Sequence, residues 1–476
     1  MLFNSISFLV FFSIVLLLHY LPFSWKAKKF NLLIASYLFY AAWNPPFVLL
    51  IWISTAVDWF AASRMYRSRS SLERRVYLIL SLFTNLGLLG FFKYGNFVLD
   101  NFVLIVQRFG FQYEPAAPNI ILPVGISFYT FQTLSYTLDV YRGNTKPWRS
   151  FLDFALFVTF FPQLVAGPIV RAADFLPQCV KPHVASATQL SWGIVLLLVG
   201  LVQKVLIADT IMAPISDAVF NEAGSLEWHN AWAGTFAFSI QIFFDFAGYS
   251  TCAIGAALCL GFALPDNFRY PYAAIGFSDF WRRWHISLSS WLRDYVYISL
   301  GGNRTGRIRV HVNLMITMLL GGLWHGASWT FVAWGGLHGL YLIVERIADR
   351  VGLMAWILQT FSRRLIASFV TYVAVCCTWV LFRALSFDQA YAILKSMFGF
   401  QRPDADGVLG ITRIMIVLGV TLGVIGYHWL MRDFSLEELA KRTSWWLQSM
   451  GIAVLLITLI WASTTGEGRA FIYFQF

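Results

Sequence analysis

The chain has 476 residues, of which 58% are hydrophobic, 18% aromatic and 12% charged, with a mean hydropathy of +0.64 and a formal net charge of +11. A soluble domain carries about twice that share of charged residues, so a water-soluble protein is excluded, and long continuous apolar runs exclude a transmembrane barrel in favour of an all-α, polytopic membrane protein. The basic residues lie in short loops between apolar runs, the pattern of cytoplasmic loops touching anionic headgroups, so membrane lipid is the expected partner and nucleic acid is not.

The first apolar run, 5–22, follows Met1-Leu2-Phe3-Asn4-Ser5, which has no positive residue; the first basic group, Lys26, Lys28 and Lys29, comes after it. This predicts an uncleaved helix whose N-terminus lies outside, in the periplasm. Runs at 30–43 and 47–62 meet at Asn44-Pro45-Pro46, between the basic loop at Lys26 to Lys29 and the one from Arg64 to Arg75. Both basic loops are therefore expected in the cytoplasm, with Asn44 to Pro46 outside, and Arg142 to Arg149 is expected in the cytoplasm too. Further runs fall at 76–92, 96–109, 119–139, 151–170, 189–208, 231–261, 310–343, 366–383, 409–431 and 447–463. Spanning takes about 20 apolar residues. We therefore expect about eleven transmembrane helices, with re-entrant and amphipathic helices around a central cavity, all in a single membrane domain, 1–476.

Two runs are interrupted, at Pro123-Val124-Gly125 and at Pro162 with Gly167-Pro168. Broken helices at membrane depth line cavities. The largest polar interruption, 264–309, interleaves seven arginines and three aspartates with Trp and Tyr. It reads as short amphipathic helices dipping into the inner leaflet. The residues near 400–408 read as a loop. Cys179, Cys252, Cys259, Cys376 and Cys377 show no CxxC or metal spacing and read as small buried hydrophobes; no metal site is expected.

No GxSxG elbow, Walker A loop, HExxH or GxGxxG occurs. What stands out is Trp324-His325-Gly326 inside the apolar stretch Leu314 to Leu342. An ionisable group there is costly unless it serves a cavity or a partner, and histidine moves protons near neutral pH. Proton transfer and simple packing are evenly matched for this residue taken alone. Gly322 with Gly326, and Gly335 with Gly339, have the spacing that lets helix backbones touch. His338 lies 13 residues on; a straight helix would put it about 20 Å away on the opposite face, so packing is its expected role. His285 lies in the basic aromatic segment, where an interfacial role is slightly favoured. Asp245 stands in an apolar helix and reads as one half of a buried ion pair, and Lys204 with Asp209 as another pair.

In order, Leu122 to Gln132, Phe161 to Ile169, Phe268 to Tyr272, Trp281 to Ser289, Trp291 to Tyr297, Leu323 to Gly326 and Phe471 to Phe476 resemble the membrane-bound O-acyltransferases, specifically the bacterial alginate O-acetylation branch. Thr251 departs from an acidic residue expected after Gly-Tyr-Ser, and Ser299 from a proline before Leu-Gly-Gly. The resemblance implies a multi-pass protein of the bacterial inner membrane in which His325 is the essential histidine and His285 the second one. It implies transfer of an acyl group, acetyl first, from acetyl-CoA or an acyl carrier thioester to a polysaccharide hydroxyl or to a periplasmic acetyltransferase partner, with no bound cofactor. His325 would take the hydroxyl proton, and Trp324, His285 and Ser328 are candidate oxyanion donors. Arg269, Arg282, Arg283 and Arg293 would meet the donor's phosphates or an acidic carrier. D-alanyl transfer to teichoic acid is the alternative, ahead of a transporter or an export-complex scaffold.

Overall fold

The computed structural model describes residues 1–115, 120–222, 226–304, 306–400, 408–465 and 469–472. The ends of the 400–408 loop and of the matching stretch Phe471 to Phe476 are described; their remainder lies outside these residues. Helices carry the structure, and no strand occurs among the described residues. Among the described residues, seven helices are long and apolar enough to cross a membrane: Pro45–Arg67, Ser71–Arg108, Ala187–Phe220, Trp228–Cys259, Phe361–Arg383, Ile411–Leu430 and Trp445–Thr464; Ile6–Tyr20 is shorter. The runs at 76–92 and 96–109 are one helix of 38 residues rather than two. Lys93 and Gly95 between them cost little beside an unbroken ladder of backbone hydrogen bonds. All five cysteines are free.

The described residues group into two compact units, Met1–Leu197 with Cys252–Pro265 and Leu198–Thr251 with Asp266–Phe476. In the first unit, Phe8, Phe39 and Phe161 form an aromatic knot between the opening helices and the broken element at Phe160. That break is real: Phe151–Thr159 ends and Phe161–Leu164 restarts around Pro162. Gly125 adopts φ +77° ahead of the helix Ile126–Arg142, and a Cβ there would stand 2.8 Å from the Leu164 carbonyl oxygen. Only glycine suits both the conformation and the close approach. The unit's buried charges include Lys29, paired with Asp153, and Asp58, which accepts from Ser81 and Asn85 at 2.5 and 2.9 Å.

In the second unit the apolar stretch around His325 is a hairpin. Helix Arg307–His325 ends, Gly326 is extended, and Ser328 caps a new helix, Trp329–Asp349, by accepting from the Thr330 N–H at 3.3 Å. Gly322 and Gly335 let the two backbones meet: a Cβ on either would lie 3.1 Å from the other's Cα. The segment 264–309 folds as Pro271–Ala273, Phe277–Arg283, Ile286–Trp291 and a π-helical turn, Leu292–Tyr297. These are the short helices expected there, and they are packed into the protein along one side. Trp284 and His285 are fully buried, Tyr272 and Trp291 nearly so, because each short helix turns its aromatic side inward while Arg282 and Arg293 stay exposed.

Candidate active site

His325 is the last residue of its helix, and the hairpin wraps it. Its ring centroid lies 5.0 Å from Trp324, 5.0 Å from Trp334 on the returning helix, and 5.4 Å from Phe382 on helix Phe361–Arg383. Only 2% of His325 is exposed. An aromatic enclosure excludes water and strengthens every polar interaction made inside it.

His285 reaches the same place from a separate segment. Its ring centroid is 6.3 Å from that of His325 and 5.7 Å from Trp324. The residue has φ +42° and ψ +55°, between the helices Phe277–Arg283 and Ile286–Trp291. A left-handed backbone costs a non-glycine residue roughly 1–2 kcal/mol, so the surroundings must hold it there. Asn267 is the main holder. Its backbone carbonyl accepts from the Ile286 N–H at 2.8 Å, and its Oδ1 accepts from the Ser287 N–H and hydroxyl at 3.3 and 2.9 Å. Its Nδ2 donates to Ser250 at 3.1 Å.

Because Asn267 Oδ1 is an acceptor throughout this network, His285 Nδ1, 3.1 Å away, must be the donor to it. That sets the neutral tautomer with the proton on Nδ1 and leaves Nε2 as the ring's acceptor. Burial pushes the His285 pKa down to about 3, in keeping with a neutral ring. A neutral His285 in this tautomer accepts rather than donates, which removes it from the candidate oxyanion donors. Ser328 is occupied as a helix cap and meets the Thr330 hydroxyl at 3.1 Å.

The other predicted residues disperse. Arg283 pairs with Asp279 at 3.0 Å, and its side chain and backbone bond to the Arg269 backbone. Arg293 pairs with Asp294 at 2.8 Å on the surface. Arg282 lines a cavity of about 760 Å³ with Glu345, Arg346, Asp349 and Arg350. Asp245 joins Lys204 and Asp209 in one buried ionic cluster. The straight-helix argument about His338 does not hold, because the hairpin folds it back: Trp334 packs on both histidines, 4.7 Å from His338. His338 remains a packing residue, bonded to Thr378 at 3.0 Å.

Asn267, Phe246, Trp334 and Phe382 were not foreseen. Phe246 lies 4.6 Å from the His285 ring. For Trp334 and Phe382, aromatic residues on apolar helices, nothing in the pattern separates them from core.

The family model of the membrane-bound O-acyltransferases matches residues 148–387, which include both histidines. The chain is 41% identical over 409 residues to a probable alginate O-acetylase of Pseudomonas aeruginosa, covering 84% of this chain and 75% of that one. It is 38% identical over 397 residues to a peptidoglycan O-acetyltransferase of Helicobacter pylori, covering 78% and 74%. A teichoic acid D-alanyltransferase of Bacillus subtilis is 27% identical over 285 residues, covering 57% and 71%.

Proposed function

Because this chain belongs to the membrane-bound O-acyltransferase family and is an O-acyltransferase, we propose that it moves an acetyl group from a cytoplasmic thioester to a hydroxyl presented on the outer face of the bacterial inner membrane. Acetyl is preferred to D-alanyl because the two acetylating relatives match at 41% and 38% identity over most of the chain, the alanylating one at 27% over 57% of it. The acceptor is a polysaccharide, directly or through a periplasmic acetyltransferase partner.

His325 acts as general base. As the acceptor oxygen attacks the thioester carbonyl, its proton passes to the imidazole, the new C–O bond forms, the C–S bond breaks, and the departing thiolate takes the proton back. The thiolate is a good leaving group. His285, held by Asn267 with Nε2 as acceptor, receives a hydrogen bond from a neighbouring hydroxyl of the acceptor, which leaves the single proton of the reacting hydroxyl to His325. Donor phosphates are met at the cavity lined by Arg282, Arg346 and Arg350.

The observation that carries this reading is the meeting of two histidines, 40 positions apart in sequence, in one buried aromatic enclosure. Packing alone would not require the strained backbone at His285. His325→Ala should lower acetyl transfer by at least about 100-fold with membrane-inserted protein at wild-type level, scored as O-acetyl content of the exported polymer by mass analysis. Wild-type acetylation by this variant removes His325 from the mechanism.

A further inference from the structure

A second cavity, of about 240 Å³, lies against the middle of the helix Trp228–Cys259, which contributes Gln241 and Asp245 to its lining. Its walls are unusually polar for this protein. Lys204 pairs with Asp209 at 2.8 Å and with Asp245, and Asp217 pairs with Arg383 at 2.9 Å and with Arg469. The Ile472 N–H donates to Asp245 at 2.7 Å, so the C-terminal segment closes one wall. Lys204 and Asp209 project from a π-helix, Gln203–Met212, inserted between α-helical segments; such insertions occur frequently at functional sites.

The cluster alone would be a structural ion-pair network. Two further atoms point to a ligand. Gln241 Oε1 and Asp209 Oδ2 both belong to this lining, are buried, and have no hydrogen-bond partner among the described residues. An unmet buried acceptor is costly unless something donates to it.

The chemistry of the missing donor follows from charge. Three cations face three carboxylates, and each cation already has a carboxylate partner, so the cavity carries no excess charge to hold an anion. What remains on offer is a set of hydrogen-bond acceptors and amides, including Asn221 at the rim. Neutral hydroxyls satisfy these, each donating and accepting. The volume is below the roughly 300 Å³ at which pockets for drug-sized ligands begin, which suits one sugar ring. The placement suits an acceptor: Arg383 follows Phe382, which packs on His325, and Asp245 precedes Phe246, which packs on His285.

We infer that this cavity is the subsite for one pyranose ring of the carbohydrate acceptor, binding it through ring hydroxyls and delivering the neighbouring hydroxyl past the two phenyl rings to the histidines. The inference rests on the function proposed above, but its test reads binding and needs no turnover, so the two fail separately.

The full chain in lipid nanodiscs is titrated calorimetrically with a β-1,4-linked mannose hexasaccharide and with the matching mannuronate hexasaccharide, which differs only in its carboxylates. Both should bind with dissociation constants within about threefold of each other. Gln241→Leu and Asn221→Ala, which break no side-chain hydrogen bond among the described residues, should keep the wild-type melting temperature and weaken binding of both sugars, Gln241→Leu by at least about tenfold. Absence of binding by either sugar, wild-type affinity in both variants, or a mannuronate preference above about tenfold overturns the assignment.

Discussion

His285 shows how much of a site can hang on one amide. The residue is buried, neutral and left-handed, and Asn267 sets both its tautomer and the turn beneath it. Its pKa of about 3 lies well below the ordinary value near 6.5 of an unfolded chain. The unfolded chain therefore binds a proton below pH 6.5 that the folded chain refuses until about pH 3. Stability is intact above pH 6.5 and is lost as the pH falls through that window, by up to about 1.4 kcal/mol per pH unit for one such group. His285→Gln removes that proton. Its melting temperature should fall less between pH 7.5 and 5 than that of wild type; parallel curves would show that His285 is protonated in the folded protein. His325 was legible in sequence because a lone imidazole in an apolar run, flanked by Trp and Gly, is conspicuous. Asn267 was not, because an asparagine two residues after a proline reads as an ordinary turn, and its importance comes from a contact 18 positions away.

At the level of elements, the sequence marks the helices well and their joints poorly. The break at Phe160 and the start at Ile126 follow from Pro and Gly, whose backbone limits are local. The turn at Gly326 was permitted by its glycine, but whether the chain bends is decided by the contact that rewards bending. That contact is Gly322 against Gly335. Gly322→Ala would drive its methyl into the Phe331 carbonyl and the Gly335 backbone, neither of which can yield without parting the helices. A loss of about 1–3 kcal/mol is expected, with transfer falling too because His325 lies one turn on. Gly336→Ala is the control: its Cβ would meet only a flexible Leu319 methyl at 3.4 Å, so it should match or slightly exceed wild type in melting temperature. Equal behaviour of the two variants would mean that the close approach is not what holds the hairpin. The short amphipathic helices expected in 264–309 are present, but how deeply their aromatic sides are buried was not legible, for a related reason. Interleaved Arg and aromatic residues suit a membrane surface, but they equally suit short helices that bury one side and expose the other, and only tertiary packing distinguishes these.

For the whole molecule, the proposed reaction requires a direction: thioester on the cytoplasmic side, hydroxyl on the other. Composition made the membrane setting plain, and the direction proposed here rests on the distribution of Lys and Arg. The loop between the helices ending at Ala41 and starting at Val48 carries no charge, whereas Arg64, Arg67, Arg69, Arg74 and Arg75 crowd the next connection. Moving the second across the membrane would take several guanidinium groups through the apolar core, at about 2.5–3.5 kcal/mol each. Ala42 is exposed in the first connection and Leu72 in the first turn of the helix Ser71–Arg108 that follows the second, and the native cysteines are buried or half-buried, so a new surface thiol would label against a low background. In spheroplasts treated with a membrane-impermeant maleimide, Ala42→Cys should be labelled directly and Leu72→Cys only after permeabilisation. The reverse pattern would put the Arg64 to Arg75 connection outside and overturn the orientation proposed for the donor, while the histidine pair and its chemistry stood.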